Sequence, residues 1–350
     1  MSFNNYNNKG LSGLANLGNT CFINSCMQIL SHTYELNEVL NVDNFKKKLK
    51  NKYDSALLLE WDNLRKILWT NNCVVSPNKF IKTIQKVAEV KGMDMFTGFS
   101  QNDLPEFLLF IIDCFHNSIS REIIMTISGN VETETDSVAV KCFEMVKNMY
   151  SKEYSEIWNL FYAVHVSEMC DLNTGKRINI TPEPYFMIDL PIPQNNKSPS
   201  LIDCFDHYVE GETLEGENAW YNEETKTKVD IKKKIQFWSF PNILVIDFKR
   251  FNSRNQKNQI LISFPLDNLD LSKYVIGYKK KSYIYELYGV CNHSGGVYGG
   301  HYTSYVKNAN GRWYHFNDTS VSEVGLQESI ISPKAYCLFY RKKINHNYIK

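Results

Sequence analysis

This sequence predicts an α+β fold, on three observations. Apolar residues recur at helical spacing through about residue 150. Runs of β-branched and aromatic residues, punctuated by proline and glycine, follow from about residue 155. A cysteine on a turn near one end is matched by a histidine on a strand entrance near the other. The expected divisions are a helical part at about 11–150, a β region with connecting segments at about 155–242 and a second sheet at about 243–342, together one domain over residues 1–350.

The helical part opens on Gly13-Leu14-Ala15-Asn16-Leu17-Gly18-Asn19-Thr20-Cys21-Phe22-Ile23-Asn24-Ser25. This is a glycine-bearing turn running into a helix, because Ile23, Cys26, Met27 and Leu30 then recur at helical spacing. Cys21 falls at the helix N-terminus, where unpaired amides and the macrodipole favour a thiolate and draw the thiol below its ordinary pKa of about 8.5. Upstream on the turn, Asn16 could aim its amide at a forming oxyanion, a donor worth about 3 to 4 kcal/mol. Leu57, Trp61, Leu64 and Leu68 mark a further helix, and Ser76-Pro77 offers an N-cap and first-turn proline to one bearing Phe80, Ile81, Ile84 and Ala88. In Gly98-Phe99-Ser100-Gln101-Asn102-Asp103-Leu104-Pro105-Glu106-Phe107-Leu108-Leu109, Pro105 sits early enough to be tolerated, and Phe107, Leu108, Ile111, Ile112 and Phe115 form the buried face. Thr126 to Asp136 reads as a loop, followed by a short helix with Ala139, Cys142, Phe143, Val146 and Met149 on its apolar face.

Strands are expected at Trp158 to Val166, Tyr185 to Leu190 and Ile243 to Phe251, with Pro191, Pro193 and Pro241 as breaks. Further strands fall at Ile284 to Cys291, His301 to Lys307, Arg312 to Asn317 and Ala335 to Arg341, with polar or glycine-rich loops at Ser253 to Gln259 and Asn292 to Gly299.

A lone cysteine is more often a small buried hydrophobe than a nucleophile. Cys21 has company: Gly299-Gly300-His301-Tyr302-Thr303-Ser304-Tyr305-Val306 and Trp313-Tyr314-His315-Phe316-Asn317-Asp318 supply a base and an orienter. These blocks resemble the Cys box and His box of the ubiquitin-specific proteases, a papain-like family of deubiquitinating enzymes. The stretch at Gln101 resembles the family's glutamine-aspartate box, although the family usually has glutamine where Pro105 stands. The resemblance implies a papain-like fold with a helical thumb, β fingers and a β palm. It also implies hydrolysis of the bond after the C-terminal glycine of ubiquitin, with ubiquitin and ubiquitinated proteins as partners and no cofactor. Cys21 would be the nucleophile, His301 the base, and Asn16 with a backbone amide the oxyanion site. Gln101, Asp103, His293, Gly299, Gly300 and Tyr302 would contact the tail, the Asp103 carboxylate suiting its arginines.

Neighbours on a strand face opposite ways, so only one of Asn317 and Asp318 meets His301 directly. Motif matching gives Asn317, leaving Asp318 to polarise a water or a second donor. Of the other histidines, His32, His116, His165, His207 and His346 lie outside these blocks, and His315 lies inside one without a role. Family fingers are commonly closed by zinc on two Cys-x-x-Cys pairs. Here Cys170 faces Asn173 at that spacing, and Tyr221 to Thr225 holds no cysteine, so no zinc is expected and sheet pairing with apolar contacts alone should hold the fingers. The altered fingers leave two rival readings: an impaired ubiquitin-binding module, or a protease for another ubiquitin-like modifier.

With 39 lysines and arginines against 38 acidic residues, the net charge of +1 argues against nucleic-acid or membrane-surface binding driven by bulk charge. No run of about 18 apolar residues appears, and the polar start Met1 to Lys9 is not a leader. Nine cysteines without a framework spacing suggest reduced thiols and an intracellular, cytoplasmic or nuclear, setting.

Overall fold

Helix α1 (Cys21–Ser31) runs through the middle of the protein, and all 11 of its residues are buried. The structure, a computed structural model, describes residues 3–42, 45–50, 52–223, 225–278, 280–297 and 299–343; Met1, Ser2, Glu224, Tyr298 and His346 lie outside the described residues. Around α1 stand α2 (Tyr34–Asn41), α3 (Tyr53–Thr70), α4 (Asn78–Lys91) and α5 (Leu104–Ile119), followed by α6 (Glu134–Tyr150), α7 (Glu156–Phe161) and α8 (Leu201–Glu210). The expected stripes on α3, α4 and α5 are buried as the periodicity requires. Pro105 occupies the first turn of α5, where its missing N–H costs nothing.

The strands are β1 (Gly13–Leu14), β2 (Val74–Val75), β3 (Ala163–Asp171), β4 (Arg177–Tyr185), β5 (Met187–Leu190), β6 (Glu212–Leu214), β7 (Trp220–Asn222), β8 (Thr227–Val229), β9 (Ile231–Phe237), β10 (Ile243–Phe248), β11 (Leu269–Asp270), β12 (Ile284–Gly296), β13 (Gly299–Lys307), β14 (Trp313–Asn317), β15 (Ser320–Glu323) and β16 (Ala335–Lys342). An 8-stranded sheet has the order β15-β14-β13-β12-β16-β10-β5, with β11 on β12, and a 4-stranded sheet has the order β4-β3-β9-β6. Every residue of β10 is buried because both faces of the larger sheet are covered. Ile243 and Val245 join α1, α5 and α7 in one core that also takes Tyr288, Cys291, Tyr302, Val306, Phe316 and Phe339. Leu244, Ile246 and Phe248 face a second core under α8. The buried face of α6 packs on the smaller sheet, against Val164, Val166, Ile180 and Trp238.

Several expectations are corrected. Trp158 to Phe161 is helical, because the Ser155 side chain accepts from the Trp158 N–H at 3.2 Å and caps α7 ahead of the strand. Ser76 caps nothing on the backbone; Pro77 is the N-cap of α4. Glu134 to Asp136 belongs to α6, started by a capping box between Thr133 and Asp136. The same device at Ser200 and Asp203 starts α8, for which no helix was expected. Tyr185 to Leu190 is two strands in different sheets, parting at Phe186. The supposed loop at Asn292 to Gly299 is mostly hairpin, with β12 and β13 paired out to Gly296 and Gly299.

The fingers are not held by sheet pairing and apolar contacts alone. Glu168, 3% exposed on β3, accepts from Arg177 Nε at 2.6 Å and meets Lys234 Nζ at 2.7 Å, while Arg177 also pairs with Glu134 of α6. At the far end, Asp171 closes the β3–β4 turn onto the Asn173 and Thr174 amides. Cys170 has no second cysteine at metal-ligand spacing, and among the described residues there is no group of three His, Cys, Asp or Glu side chains that could hold a metal ion.

Candidate active site

The turn before α1 is tight because Gly18 (φ 104°) and Asn19 (φ 54°) take left-handed conformations, one free of a Cβ and the other of a type that tolerates the region. Cys21 follows as the first residue of α1, 3% exposed. Burial pushes its thiol above the ordinary value, and the Asp318 carboxylate adds to the rise. The main-chain amides of Tyr302, Phe22 and Cys21 itself pull the other way and lose. The direction is opposite to the fall expected from the helix terminus, because burial is the largest influence on the sulfur.

His301 lies beside Tyr302 on β13, so the strand whose amide acts on the sulfur also carries the imidazole. Its Nε2 is 2.7 Å from Asn317 Oδ1 on the neighbouring β14. An amide oxygen only accepts, so Nε2 is the donor in this bond. Asp318 turns away from His301, in a two-residue hairpin at φ 49°. Its main-chain oxygen accepts from the Leu14 N–H at 2.8 Å, its Oδ2 from Asn16 Nδ2 at 3.0 Å and its Oδ1 from Asn24 Nδ2 at 2.8 Å. Gly13 permits the contact, since a Cβ there would lie 2.3 Å from the Thr319 carbonyl oxygen. Asn16 Oδ1 accepts from the Gly18 and Thr20 amides at 3.1 Å each, which fixes the plane of its amide. One of its two Nδ2 hydrogens remains beyond the bond to Asp318.

On the other side of the crevice, Gln101 Oε1 accepts from the Gly300 N–H at 2.6 Å. Asp103, the N-cap residue of α5, uses Oδ1 to accept from Tyr302 at 3.0 Å and from Tyr336 at 3.1 Å. Burial raises its carboxyl above the usual range, against those two phenols. His293 is 4% exposed, packed on Tyr302 and Tyr336, and a Cβ on Gly300 would come within 2.2 Å of its Nε2. Lys257 Nζ caps the His293 carbonyl oxygen at 2.6 Å and lies 3.0 Å from Nδ1, while burial holds the imidazole at about 4 and the ammonium at about 8. Gly299 sits over Gln101.

The contacts link the expected residues in two groups: Gln101 and Asp103 meet Gly300 and Tyr302 of β13, while Asp318 meets Asn16 and Asn24 beside Cys21. The other histidines lie elsewhere in the fold: His32 donates to the Gln28 carbonyl, His116 meets Ser155, His165 stacks on Tyr185, His207 is exposed, and His315 packs on Tyr305. Sequence reasoning missed Asn24, Lys257 and Tyr336. Only Asn24 left a signal, as a polar residue three positions after Cys21 in a helix that is buried throughout.

A cysteine on a buried helix N-terminus, an imidazole on the facing sheet and an amide acceptor on the next strand are arranged in a papain-like α+β fold. The profile described as "Ubiquitin carboxyl-terminal hydrolase" matches residues 12–340, and the chain belongs to that family. It is 32% identical to ubiquitin carboxyl-terminal hydrolase 2 of Bos taurus over 97% of this chain and 56% of that protein. It is 29% identical to a probable ubiquitin carboxyl-terminal hydrolase of Acanthamoeba polyphaga mimivirus over 95% of this chain and 90% of that protein. The chain therefore spans little more than half the length of the bovine relative. Among solved structures, the SAGA Ubp8/Sgf11/Sus1/Sgf73 DUB module bound to ubiquitin aldehyde shares the fold, with TM-score 0.73 at 24% identity over 97% of this chain and 71% of that chain. Among the described residues no helix is long and apolar enough to cross a membrane.

Proposed function

We infer that this chain is a cysteine-type deubiquitinase, hydrolysing the isopeptide or peptide bond after the C-terminal glycine of ubiquitin. The observation that carries the reading is the His301–Asn317 bond of 2.7 Å on a strand whose next residue, Tyr302, acts on the Cys21 sulfur. Residues 1–350 form one catalytic domain in this reading, with a thumb at about 11–150, fingers at about 155–242 and a palm at about 243–342. Nine cysteines free of disulfides support an intracellular, cytoplasmic or nuclear, setting, and the near-neutral charge supports protein rather than nucleic-acid or membrane partners.

When substrate fills the crevice, the Cys21 proton passes to His301 Nδ1 and the sulfur attacks the glycine carbonyl carbon. The oxygen takes the negative charge beside the free Asn16 N–H and a backbone amide near Cys21. Collapse breaks the carbon–nitrogen bond as the imidazolium gives its proton to the leaving amine. Water then attacks the thioester, giving a proton to His301, and the carboxylate leaves as the thiol re-forms. Asn317 holds the imidazole in the tautomer this sequence needs, and Gln101, Asp103, His293, Gly299, Gly300 and Tyr302 line the path of the tail.

Ubiquitin bearing a C-terminal electrophile tests the reading. Labelling of the wild type that is lost in Cys21→Ala is the expected result. Binding without labelling identifies an impaired binding module, and labelling only by another ubiquitin-like modifier identifies that substrate instead.

A further inference from the structure

Asn24 sits three residues beyond Cys21 on α1 and is 2% exposed. A buried asparagine inside a helix is an expensive choice, since it forms helix poorly and its amide must be desolvated. Its Oδ1 has no hydrogen-bond partner. Its Nδ2 is engaged: 2.8 Å to Asp318 Oδ1, with the Leu14 and Ala15 carbonyl oxygens at 3.3 and 3.4 Å. The side chain is therefore placed for what it donates. The accepting carboxylate has no salt-bridge partner among the described residues, and its remaining oxygen takes the Asn16 amide at 3.0 Å. Two neutral amides hold the carboxylate, and the Leu14 N–H holds the main-chain oxygen, of a residue in a left-handed turn that few residue types adopt.

We propose that Asn24 is a positioning residue for acyl transfer: acting through Asp318, it fixes the direction in which the Asn16 amide presents its free N–H. This rests on the function proposed above. Asn16 has two restraints, its Oδ1 pinned by the Gly18 and Thr20 amides and its Nδ2 by Asp318. The second is only as rigid as Asp318, and Asn24 ties Asp318 to the helix that carries the nucleophile. Without the Asn24 donor the carboxylate turns toward water, and the Asn16 amide follows it. Charge on the transition-state oxygen then meets a donor that has to reorganise, which removes the advantage of a fixed dipole.

The test compares Asn24→Leu, Asn24→Ser, Asn24→Asp and the double variant Asn24→Asp/Asp318→Asn on a ubiquitin C-terminal fluorogenic amide, with thermal melting to verify folding. The Leu variant should lose about 30-fold in kcat, less than complete loss of an oxyanion donor, with KM within about twofold. Cys21 alkylation by iodoacetamide, which forms no oxyanion, should stay within about twofold of wild type. The Ser variant, shorter but still a donor, should fall between. In the double variant donor and acceptor exchange places, so kcat should recover above that of Asn24→Asp alone. A folded Leu variant with kcat near wild type, an equal fall in alkylation, or a double variant no better than the single one overturns the proposal. The 15N signal of the Asn16 side-chain amide, assigned by its loss in Asn16→Ala, separates this from failure of the functional reading. Faster amide hydrogen exchange in Asn24→Leu is expected even if ubiquitin is not the substrate, and unchanged exchange rejects the relay.

Discussion

The main-chain N–H of Gly300 donates to Gln101 Oε1 across 2.6 Å, and the Gln101 amide reaches on to Asn19 Oδ1 at 3.4 Å. One side chain thus bridges the cysteine loop and the histidine strand, over the path proposed for the tail. A peptide carbonyl that takes the Gly300 amide must displace Gln101, which is then free to bond the peptide itself. Gln101→Ala should cut kcat/KM for a ubiquitin substrate about tenfold, the worth of one net hydrogen bond. Alkylation of Cys21 by a small reagent should be unchanged or faster. A parallel drop in both rates would point to damage at the cysteine instead.

Asn317 holds His301 by accepting a proton bond, a task any well-placed oxygen can perform. Asn317→Ala should lower kcat about 100-fold, the lower end of what a positioned base contributes. Asn317→Asp, which keeps the acceptor, should stay within about fivefold. Steady-state kinetics on folded variants decide this, and equal losses in the two would remove the orienting role.

Burial pushes several imidazoles down, and His32 and His293 furthest, both to about 4. Their folded values lie below the ordinary 6.5, so the unfolded chain binds the extra protons and stability falls as pH drops from about 6.5 toward 4. By pH 5 each contributes a loss of about 2 kcal/mol. Lys257, at about 8, acts at the other end: stability rises with pH from about 8 toward 10.5 as the unfolded chain retains the proton. Urea titrations from pH 5 to 10 should show both slopes, and His293→Gln should flatten the acidic one.

Glu168 lies buried between Arg177 and Lys234. Replacing it with glutamine leaves two half-exposed cations without their charge partner and should cost about 2 kcal/mol, below the range for fully buried pairs. A chelator should leave the melting temperature unmoved. A chelator-sensitive midpoint would mean that a metal holds the fingers.

The chemistry-bearing blocks were legible because they are local: a turn, a cysteine and a helical stripe lie between Gly13 and Leu30, although Asp318 parts from Asn317 by entering the turn after β14 rather than by strand alternation. What stayed hidden depends on distance in sequence. Nothing in a polar loop marks Lys257 as the cap of His293, and Tyr336 reaches Asp103 only because β16 lies beside β12. The direction of the thiol's shift was hidden for a related reason, since the helix N-terminus is local while burial between α1 and the larger sheet is not. Trp158 to Phe161 misled through composition, where a single serine ahead of it decided for helix.

The core shared by α1, α5, α7 and the inner face of the larger sheet has a mechanical corollary. Parting the two halves like jaws would strip packed aromatic and aliphatic surface, so access to the sulfur has to come from rotamer changes and hairpin motion, on nanosecond to microsecond scales. Scattering profiles before and after covalent labelling of Cys21 should then differ only by the added mass of the label, with the spacing between the helices and the larger sheet unchanged.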